Sequence, residues 1–171
     1  MSVWLLRPAA IAFACMLAFA APASAELLAR KDLSLATALT IATTAAETCK
    51  AQGQRVSVTV VGRNGEVIVQ LRGDDASPHT VENSFRKAYT ARTFRVPSGE
   101  IVKRLKENPQ LGAVHLSNVV AAQGALPIMV GTDVIGAAGV SGGVTTPESP
   151  GGVKDEACVK AGIDKVVGQL K

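Results

Sequence analysis

Two short runs of alternating β-branched residues, joined by a tight turn, constrain the fold of this chain more than any other feature. The runs are Val56 to Val61 and Val67 to Leu71, and Asn64-Gly65 lies in the turn between them. Asn-Gly readily adopts the left-handed backbone angles of a hairpin turn, so the two strands are predicted to pair antiparallel. Strands joined by hairpins, with helices around them, indicate an α+β fold with an antiparallel sheet.

Segments with helical periodicity lie on both sides of this hairpin. Ser34 is predicted to cap a first helix that ends before Gly53, and a second helix is predicted to open at Ser77-Pro78 and to run to about Phe94. The remaining predicted elements are, in order, a short helix after Pro97, a short strand at 119–121, strands at 124–131 and 134–140 with Pro127 at an edge or a bulge, and a helix at 154–170.

The first 25 residues have the pattern of a secretory signal peptide. A leader with one cation, Arg7, precedes the apolar run Ala9 to Ala21, and Ala23-Ser24-Ala25 is a small-x-small cleavage site. The run is shorter than the roughly 20 apolar residues that cross a bilayer as a helix. Cleavage after Ala25 is therefore predicted to leave residues 26–171 as a soluble single domain, periplasmic or secreted, with no membrane span.

Charge and aromatic content argue against a nucleic-acid partner. Without Arg7 the chain has 17 cations against 14 anions, a net charge of +3, and aromatic residues make up only 4% of the sequence. The cations are spread over several segments. Proteins that bind nucleic acids usually combine a basic patch with stacking aromatic side chains, and that pattern is missing here.

Two cysteines remain after the leader, Cys49 and Cys158, one near each end of the mature chain. In an oxidising compartment an even pair of cysteines favours a structural disulfide, although two separate buried thiols stay an open alternative. No C-x-x-C motif occurs. The two cysteines, His79 and His115 also lack the spacing of a structural zinc site.

The stretch from Gly73 to Phe94 combines a helix start, a histidine and several cations. His79 falls in the first helical turn, where free N–H groups favour a neutral imidazole, the form that binds metal ions. The cations of this stretch and just after it are predicted to hold the carboxylates of a planar ligand: Arg86, Lys87, Arg92 and Arg95. The alternative is that His79 is a solvated first-turn residue and that the cations form an ordinary solvated face. Helical spacing predicts an apolar inward stripe that leaves these residues outward: Glu82, Arg86, Lys87 and Thr90.

The segment Gly139-Val140-Ser141-Gly142-Gly143 matches the G-x-S-x-G pattern of a nucleophile elbow. That elbow needs a helix directly after the serine and a histidine later in the chain. A Gly/Pro-rich loop follows here, and both histidines lie upstream, so serine hydrolysis is not predicted. The glycines instead indicate that another element packs close to this strand. His115 is interpreted as a partly buried core or interface histidine.

Several short motifs occur in an order that resembles the GlcG/HbpS family of haem-binding-protein-like domains. They are Pro78-His79-Thr80, Arg86-Lys87-Ala88-Tyr89-Thr90-Ala91, Gly124-x-x-Pro127-Ile128, Gly136-x-x-Gly139-Val140-Ser141-Gly142 and Asp155-Glu156-x-Cys158. The resemblance extends over about residues 33–167. It implies a profilin-like α/β/α architecture, in which helices flank both faces of a five-stranded antiparallel sheet, and it implies a homo-oligomer.

The same resemblance implies non-covalent binding of haem, or a related tetrapyrrole, for sensing or scavenging. His79 matches the histidine that precedes the R-K-A-Y helix in exported relatives, so it is the candidate axial ligand, with Arg86 and Lys87 at the propionates. The scarcity of aromatic residues favours a haem site shared between subunits, or no haem at all. Two alternatives stay open: a small enzyme or accessory protein acting on an organic acid, with His79 as general base and an arginine as carboxylate clamp, or a structural oligomer that partners a periplasmic dehydrogenase or transporter.

Overall fold

The computed structural model describes residues 26–170, and the predicted signal peptide lies outside them. The elements, in order, are α1 (Leu35–Ala51), β1 (Ser57–Val61), β2 (Val67–Arg72), α2 (His79–Phe94), α3 (Ser98–Glu107), a 3-10 turn (Gly112–His115), β3 (Ala125–Val130), β4 (Asp133–Ser141) and α4 (Gly151–Val167). No helix within residues 26–170 is both long enough and apolar enough to cross a membrane.

The strands form one antiparallel sheet in the order β2-β1-β4-β3. The predicted hairpin is confirmed: β1 pairs with β2, and Val60 lies opposite Val69. Gly65 has a φ of +84°, the left-handed conformation that the Asn-Gly pair predicts. The α+β class with an antiparallel sheet is therefore confirmed.

The prediction of a fifth strand is wrong, because the described sheet has four strands and ends at β3. The free side of β3 lacks the donors that another strand would need. The Ala125 N–H donates to the Ser98 hydroxyl at 3.0 Å, and Pro127 has no N–H to offer. The predicted edge position of Pro127 is thus confirmed, and it helps to explain why the sheet stops there.

The segment at 119–121, which was the expected short strand, packs against α2 instead. The Val120 N–H donates to the Thr90 hydroxyl at 2.9 Å, and the Val119 carbonyl accepts from the Arg86 guanidinium at 2.9 Å. Side chains of α2 therefore satisfy backbone groups that a neighbouring strand would otherwise satisfy. This arrangement leaves the segment irregular.

Helices α1 and α4 pack on one side of the sheet, which we call the α1–α4 face. Its core is apolar and includes Ile41 of α1, Val60 of β1 and Val159 of α4, all fully buried. The Cys49 and Cys158 sulfurs are 2.08 Å apart, so a disulfide joins the two helices across 109 residues of chain. The predicted disulfide is confirmed.

Helix α2 covers the opposite side of the sheet, the α2 face, through small and polar residues. The hydroxyls of Ser57 and Thr80 are 2.8 Å apart, and both residues are buried. A Cβ on Gly139 of β4 would lie 2.7 Å from the Ala88 nitrogen, so only glycine lets the helix approach this closely. The prediction that something packs against the β4 glycines is confirmed.

The predicted outward orientation of two α2 residues is wrong. Lys87 is 4% exposed and Thr90 is fully buried. The apolar stripe does not account for them, because the inward positions of α2 also include Thr80 and Ser84. Helix α2 therefore packs against the sheet partly through polar residues.

Candidate functional site

A cleft of about 520 Å³, which we call the α2 cleft, lies at the N-terminal end of α2. Its walls are α2, the irregular segment at 121–123, the end of β4 with the loop that follows, and the first turn of α4. The lining residues are Arg55, Ser77, His79, Thr80, Asn83, Lys87, Val102, Ala121, Ala122, Gln123, Ser141, Gly142, Gly143, Val144, Thr145, Pro150, Gly151, Gly152 and Asp155.

His79 lies at the rim of this cleft and is exposed. It is the first residue of α2, and Pro78 before it already has helical angles, φ −54° and ψ −41°. The Ser77 carbonyl accepts from the Thr80 N–H at 3.0 Å, which places the helix start where the Ser-Pro pair predicts it. Within residues 26–170 the imidazole makes no hydrogen bond and no ion pair, so both ring nitrogens face the cleft or solvent.

Three polar side chains of α2 line the cleft at helical spacing. His79, Asn83 and Lys87 are four residues apart, so they lie on one face of the helix, along a rise of about 12 Å. Exposure falls along this row: His79 is exposed, Asn83 is half-buried and Lys87 is buried. The row therefore runs from the rim of the cleft to its floor.

The floor of the cleft contains a buried ion pair. The Lys87 Nζ is 2.7 Å from the Asp155 Oδ2 of α4 and donates to the Val140 carbonyl of β4 at 3.1 Å. The Gly143 N–H donates to the Asp155 Oδ1 at 2.8 Å. Burial raises the pKa of Asp155 above its ordinary value, while the charge and hydrogen bond of Lys87 and the Gly143 N–H oppose that rise. The pair links α2, β4 and α4.

Glycines let the backbone close around this ion pair. Gly124 has a φ of +132°, and a Cβ there would lie 2.8 Å from the Asp155 Cβ and 2.9 Å from the Lys87 Nζ. Gly142 has a φ of +129°, and a Cβ there would collide with the Arg55 carbonyl. Gly124, just before β3, and Gly142, just after β4, therefore shape the floor of the cleft.

Ser141 ends β4 beside the ion pair and is 3% exposed. The Asn83 Nδ2 donates to its hydroxyl oxygen at 3.0 Å. The described residues show no hydrogen bond between Ser141 and His79, although both line the cleft. Helix α4 begins only at Gly151, so no helix follows the serine directly and the geometry of a nucleophile elbow is not formed.

The cleft brings together only some of the residues predicted from the sequence. His79 and Lys87 line it, whereas Arg86 does not. The Arg86 guanidinium donates to the Val119 carbonyl and lies 3.6 Å from the Glu82 carboxylate. His115 is exposed on the 3-10 turn, so it is not a core residue of this subunit, and its interpretation as an interface histidine stays a prediction.

Sequence reasoning assigned no ligand contact to four of the polar lining residues: Arg55, Asn83, Ser141 and Asp155. Asn83 had a usable signal, because it lies one helical turn from His79 on the same face. Arg55 had none, since it lies in the short connection before β1. Within residues 26–170 no three His, Cys, Asp or Glu side chains form a group that could hold a metal ion. An iron bound at His79 would take its other ligands from a cofactor or another subunit.

Comparison with known proteins identifies the family. The family model described as "Haem degrading protein HbpS-like" matches residues 33–164. The chain belongs to this HbpS-like family. The identification confirms the resemblance that the motifs of α2, β4 and α4 predict.

Two solved structures have the same fold as this HbpS-like chain. The crystal structure of HbpS is 34% identical, with a TM-score of 0.74, over 82% of this chain and 94% of HbpS. The crystal structure of PduOC in complex with haem has a TM-score of 0.67 over 77% of this chain and 93% of that chain. Its identity is only 23%, so it shows likeness of fold alone.

A curated relative from Citrobacter freundii is an uncharacterized 15.0 kDa protein in the dhaT-dhaS intergenic region. It is 36% identical over 91 residues, which are 52% of this chain and 64% of the relative. The chain therefore spans less than two thirds of the length of that relative.

Proposed function

We propose that this HbpS-like protein is an exported haem-binding protein that holds haem non-covalently at the α2 cleft, with His79 as the axial ligand. The observation that carries the proposal is the exposed His79 imidazole, which has no protein partner within residues 26–170 and faces a cleft of about 520 Å³. Haem binding by PduOC, on the same fold, supports it. His79 would hold bound haem through an imidazole nitrogen, and the haem would supply an iron centre.

The lining of the cleft fits haem on one face. Val102, Ala121 and Ala122 contribute apolar side chains to the lining, whereas no aromatic side chain is among the lining residues. A flat macrocycle ligated by His79 at the rim would thus be left partly uncovered by one subunit. We propose that a second copy of the chain covers the other face, so that the haem site belongs to a homo-oligomer.

Arg55 is the exposed cation of the cleft, and we assign it to a haem propionate. The assignment of Arg86 and Lys87 to propionates stays a prediction. Their contacts within the subunit favour Arg55 in this role, because Lys87 is paired with Asp155 and Arg86 binds the Val119 carbonyl outside the cleft.

Export is part of the proposal. The predicted signal peptide, residues 1–25, supports it, and the Cys49–Cys158 disulfide is compatible with an oxidising compartment. The function that follows is capture of haem outside the cytoplasm, for sensing or scavenging.

The test is a haem titration into haem-free protein, followed by the Soret band. We expect His79→Ala to change the position of the band and to weaken binding by on the order of tenfold or more, equivalent to about 1.4 kcal/mol per factor of ten. His115→Ala is the matched control, because His115 is also exposed but lies outside the cleft. It should bind haem as the wild type does.

Identical spectra and affinities for wild type and His79→Ala would remove His79 as the ligand. A Soret band that is lost in His115→Ala instead would move the site to the 3-10 turn. Measuring the molecular mass by light scattering with and without haem tests the shared site, since a monomer that binds haem fully would contradict it.

A further inference from the structure

We infer that the floor of the α2 cleft is a carboxylate-binding subsite, in which the Lys87 ammonium and the Ser141 hydroxyl donate to one carboxylate group of a small organic acid. The subsite lies below the rim where His79 is proposed to bind haem. It does not depend on haem, because every group that forms it belongs to the cleft floor.

Lys87 has donor capacity that the protein does not use. An ammonium group has three N–H donors. Two are directed at the Asp155 Oδ2 and the Val140 carbonyl, and no third acceptor from residues 26–170 lies within hydrogen-bond distance. The side chain retains 6% of its surface, and it lines the cleft. A buried ammonium with one unfilled donor at a cleft wall is suited to an anionic oxygen.

Ser141 has an unused donor at the same place. Its hydroxyl oxygen accepts from the Asn83 Nδ2, so its own proton must be donated elsewhere, and the described part of the chain offers it no acceptor. Ser141 follows Val140, whose carbonyl binds the Lys87 Nζ, so the two donors come from neighbouring points of the floor. Two converging donors match the two oxygens of a carboxylate.

The charge of the cleft favours a monoanionic group. The titratable side chains that line it are Arg55, Lys87, Asp155 and His79. Apart from His79, two cations face one anion, which leaves one unit of positive charge. A carboxylate at the floor would balance that charge inside a partly desolvated site.

The dimensions of the cleft favour a small acid. Lys87 and Ser141 are almost completely buried, so only a narrow group reaches them. Asn83 and His79 lie about 6 Å and 12 Å further along α2. A short dicarboxylate would place one carboxylate at the floor and the other toward Asn83 and the rim. A haem propionate has the same chemistry, so the source of the carboxylate must be separated by experiment.

The experiment titrates sodium acetate and sodium succinate into haem-free protein at constant ionic strength, with sodium chloride as the reference salt. Backbone and side-chain amide signals are followed by NMR. We expect saturable shifts at the Gly143 N–H and the Asn83 side-chain amide, with succinate binding more tightly than acetate. Ser141→Ala should weaken binding about tenfold, the loss of one hydrogen bond to a charged group.

Lys87→Met alone leaves Asp155 unpaired, so the lysine is tested as the double variant Lys87→Met/Asp155→Asn. The replacing amide keeps an acceptor for the Gly143 N–H. We expect this variant to lose the saturable shifts while it keeps a folded amide spectrum. Lys103→Met is the control, because Lys103 is exposed on α3, outside the cleft, and its removal should leave succinate binding unchanged.

NMR shifts that rise linearly with concentration, and equally for succinate and chloride, would overturn the subsite. Succinate binding at wild-type affinity by both Ser141→Ala and Lys87→Met/Asp155→Asn would also overturn it. The haem titration is read separately. Succinate binding without a Soret band would support the subsite and contradict the proposed haem binding. A His79-dependent Soret band without succinate or acetate binding would support haem binding and contradict the subsite.

Discussion

The two faces of the sheet are built from different chemistry. On the α1–α4 face, Ile41, Val60 and Val159 are fully buried in an apolar core, and a disulfide joins the covering helices. On the α2 face, the contact between helix and sheet combines a small apolar cluster of alanines, a valine and a phenylalanine with paired hydroxyls such as those of Thr59 and Ser84, 2.8 Å apart. The first face is held by apolar burial and a covalent bond, whereas the second also relies on directional polar contacts.

This difference explains why the candidate site lies where it does. Apolar burial is non-directional, so it stabilises the α1–α4 face without requiring one exact arrangement. Buried hydrogen bonds and ion pairs require defined geometry and cost free energy when they are broken. The α2 face therefore holds Asn83, Lys87 and Ser141 in fixed relative positions, and His79 lies on the same helix at the rim of the cleft.

The largest expected effect comes from removing one member of the buried ion pair. Lys87→Met should lower the free energy of unfolding by about 3–5 kcal/mol, because it leaves the Asp155 carboxylate buried without its cation. Urea unfolding followed by circular dichroism measures this loss. The double variant Lys87→Met/Asp155→Asn should lose clearly less, since no unpaired charge remains. Equal losses in both variants would mean that the ion pair does not behave as a coupled buried pair.

The next effect concerns the opposite face. Reducing the Cys49–Cys158 disulfide removes a cross-link between residues 109 apart, which should lower the free energy of unfolding by about 2–4 kcal/mol. The comparison is urea unfolding of oxidised protein against the Cys49→Ala/Cys158→Ala variant.

The same cysteine variant also tests how independent the two faces are. Cys158 is three residues from Asp155 of the cleft floor, but the proposed haem contacts His79 and Arg55 lie outside α4. The variant should therefore keep the wild-type Soret titration at temperatures where it is folded. A loss of haem binding in a fully folded cysteine variant would show that the α2 cleft depends on the α1–α4 face.

Elements that depend on local sequence could be predicted well. The Ser34 cap, whose hydroxyl accepts from the Thr37 N–H, marks the start of α1, and Asn64-Gly65 marks the hairpin. Each signal acts within a few residues, so no tertiary information is needed. The disulfide could also be predicted, because only two cysteines follow the leader.

Features that depend on distant partners could not be predicted in this way. Pro127 marks an edge in the sequence, but the end of the sheet also depends on Ser98. The Ser98 hydroxyl accepts from the Ala125 N–H, and the two residues are 27 positions apart in the chain. The burial of Lys87 depends on Asp155, 68 residues away. A lysine on a helix is ordinarily exposed, so its inward position follows only from a partner that local periodicity does not reveal.

The smallest expected effect concerns an ion pair outside both layers. Arg63, next to the β1–β2 turn, donates to both carboxylate oxygens of Asp133, at 3.0 and 2.6 Å, and so links it to the start of β4. The hydrogen bond from Arg63 lowers the pKa of Asp133 below its ordinary value of 3.8. Because the pKa of Asp133 is lower in the folded protein than in the unfolded protein, its ionised carboxylate stabilises the fold at pH values above the unfolded-state pKa. That contribution is lost as the pH falls through the folded-state pKa.

The melting temperature of Asp133→Asn should therefore lie slightly below that of the wild type at pH 6. The gap should shrink below about pH 4, where the carboxylate becomes protonated in the unfolded and then in the folded protein. Added salt should also shrink it, because the Asp133 carboxylate is open to solvent and is screened. A difference in melting temperature that widens as the pH falls would contradict the lowered pKa of Asp133 in the folded protein. A gap as large as that of Lys87→Met would mean that exposure does not separate weak ion pairs from strong ones in this fold.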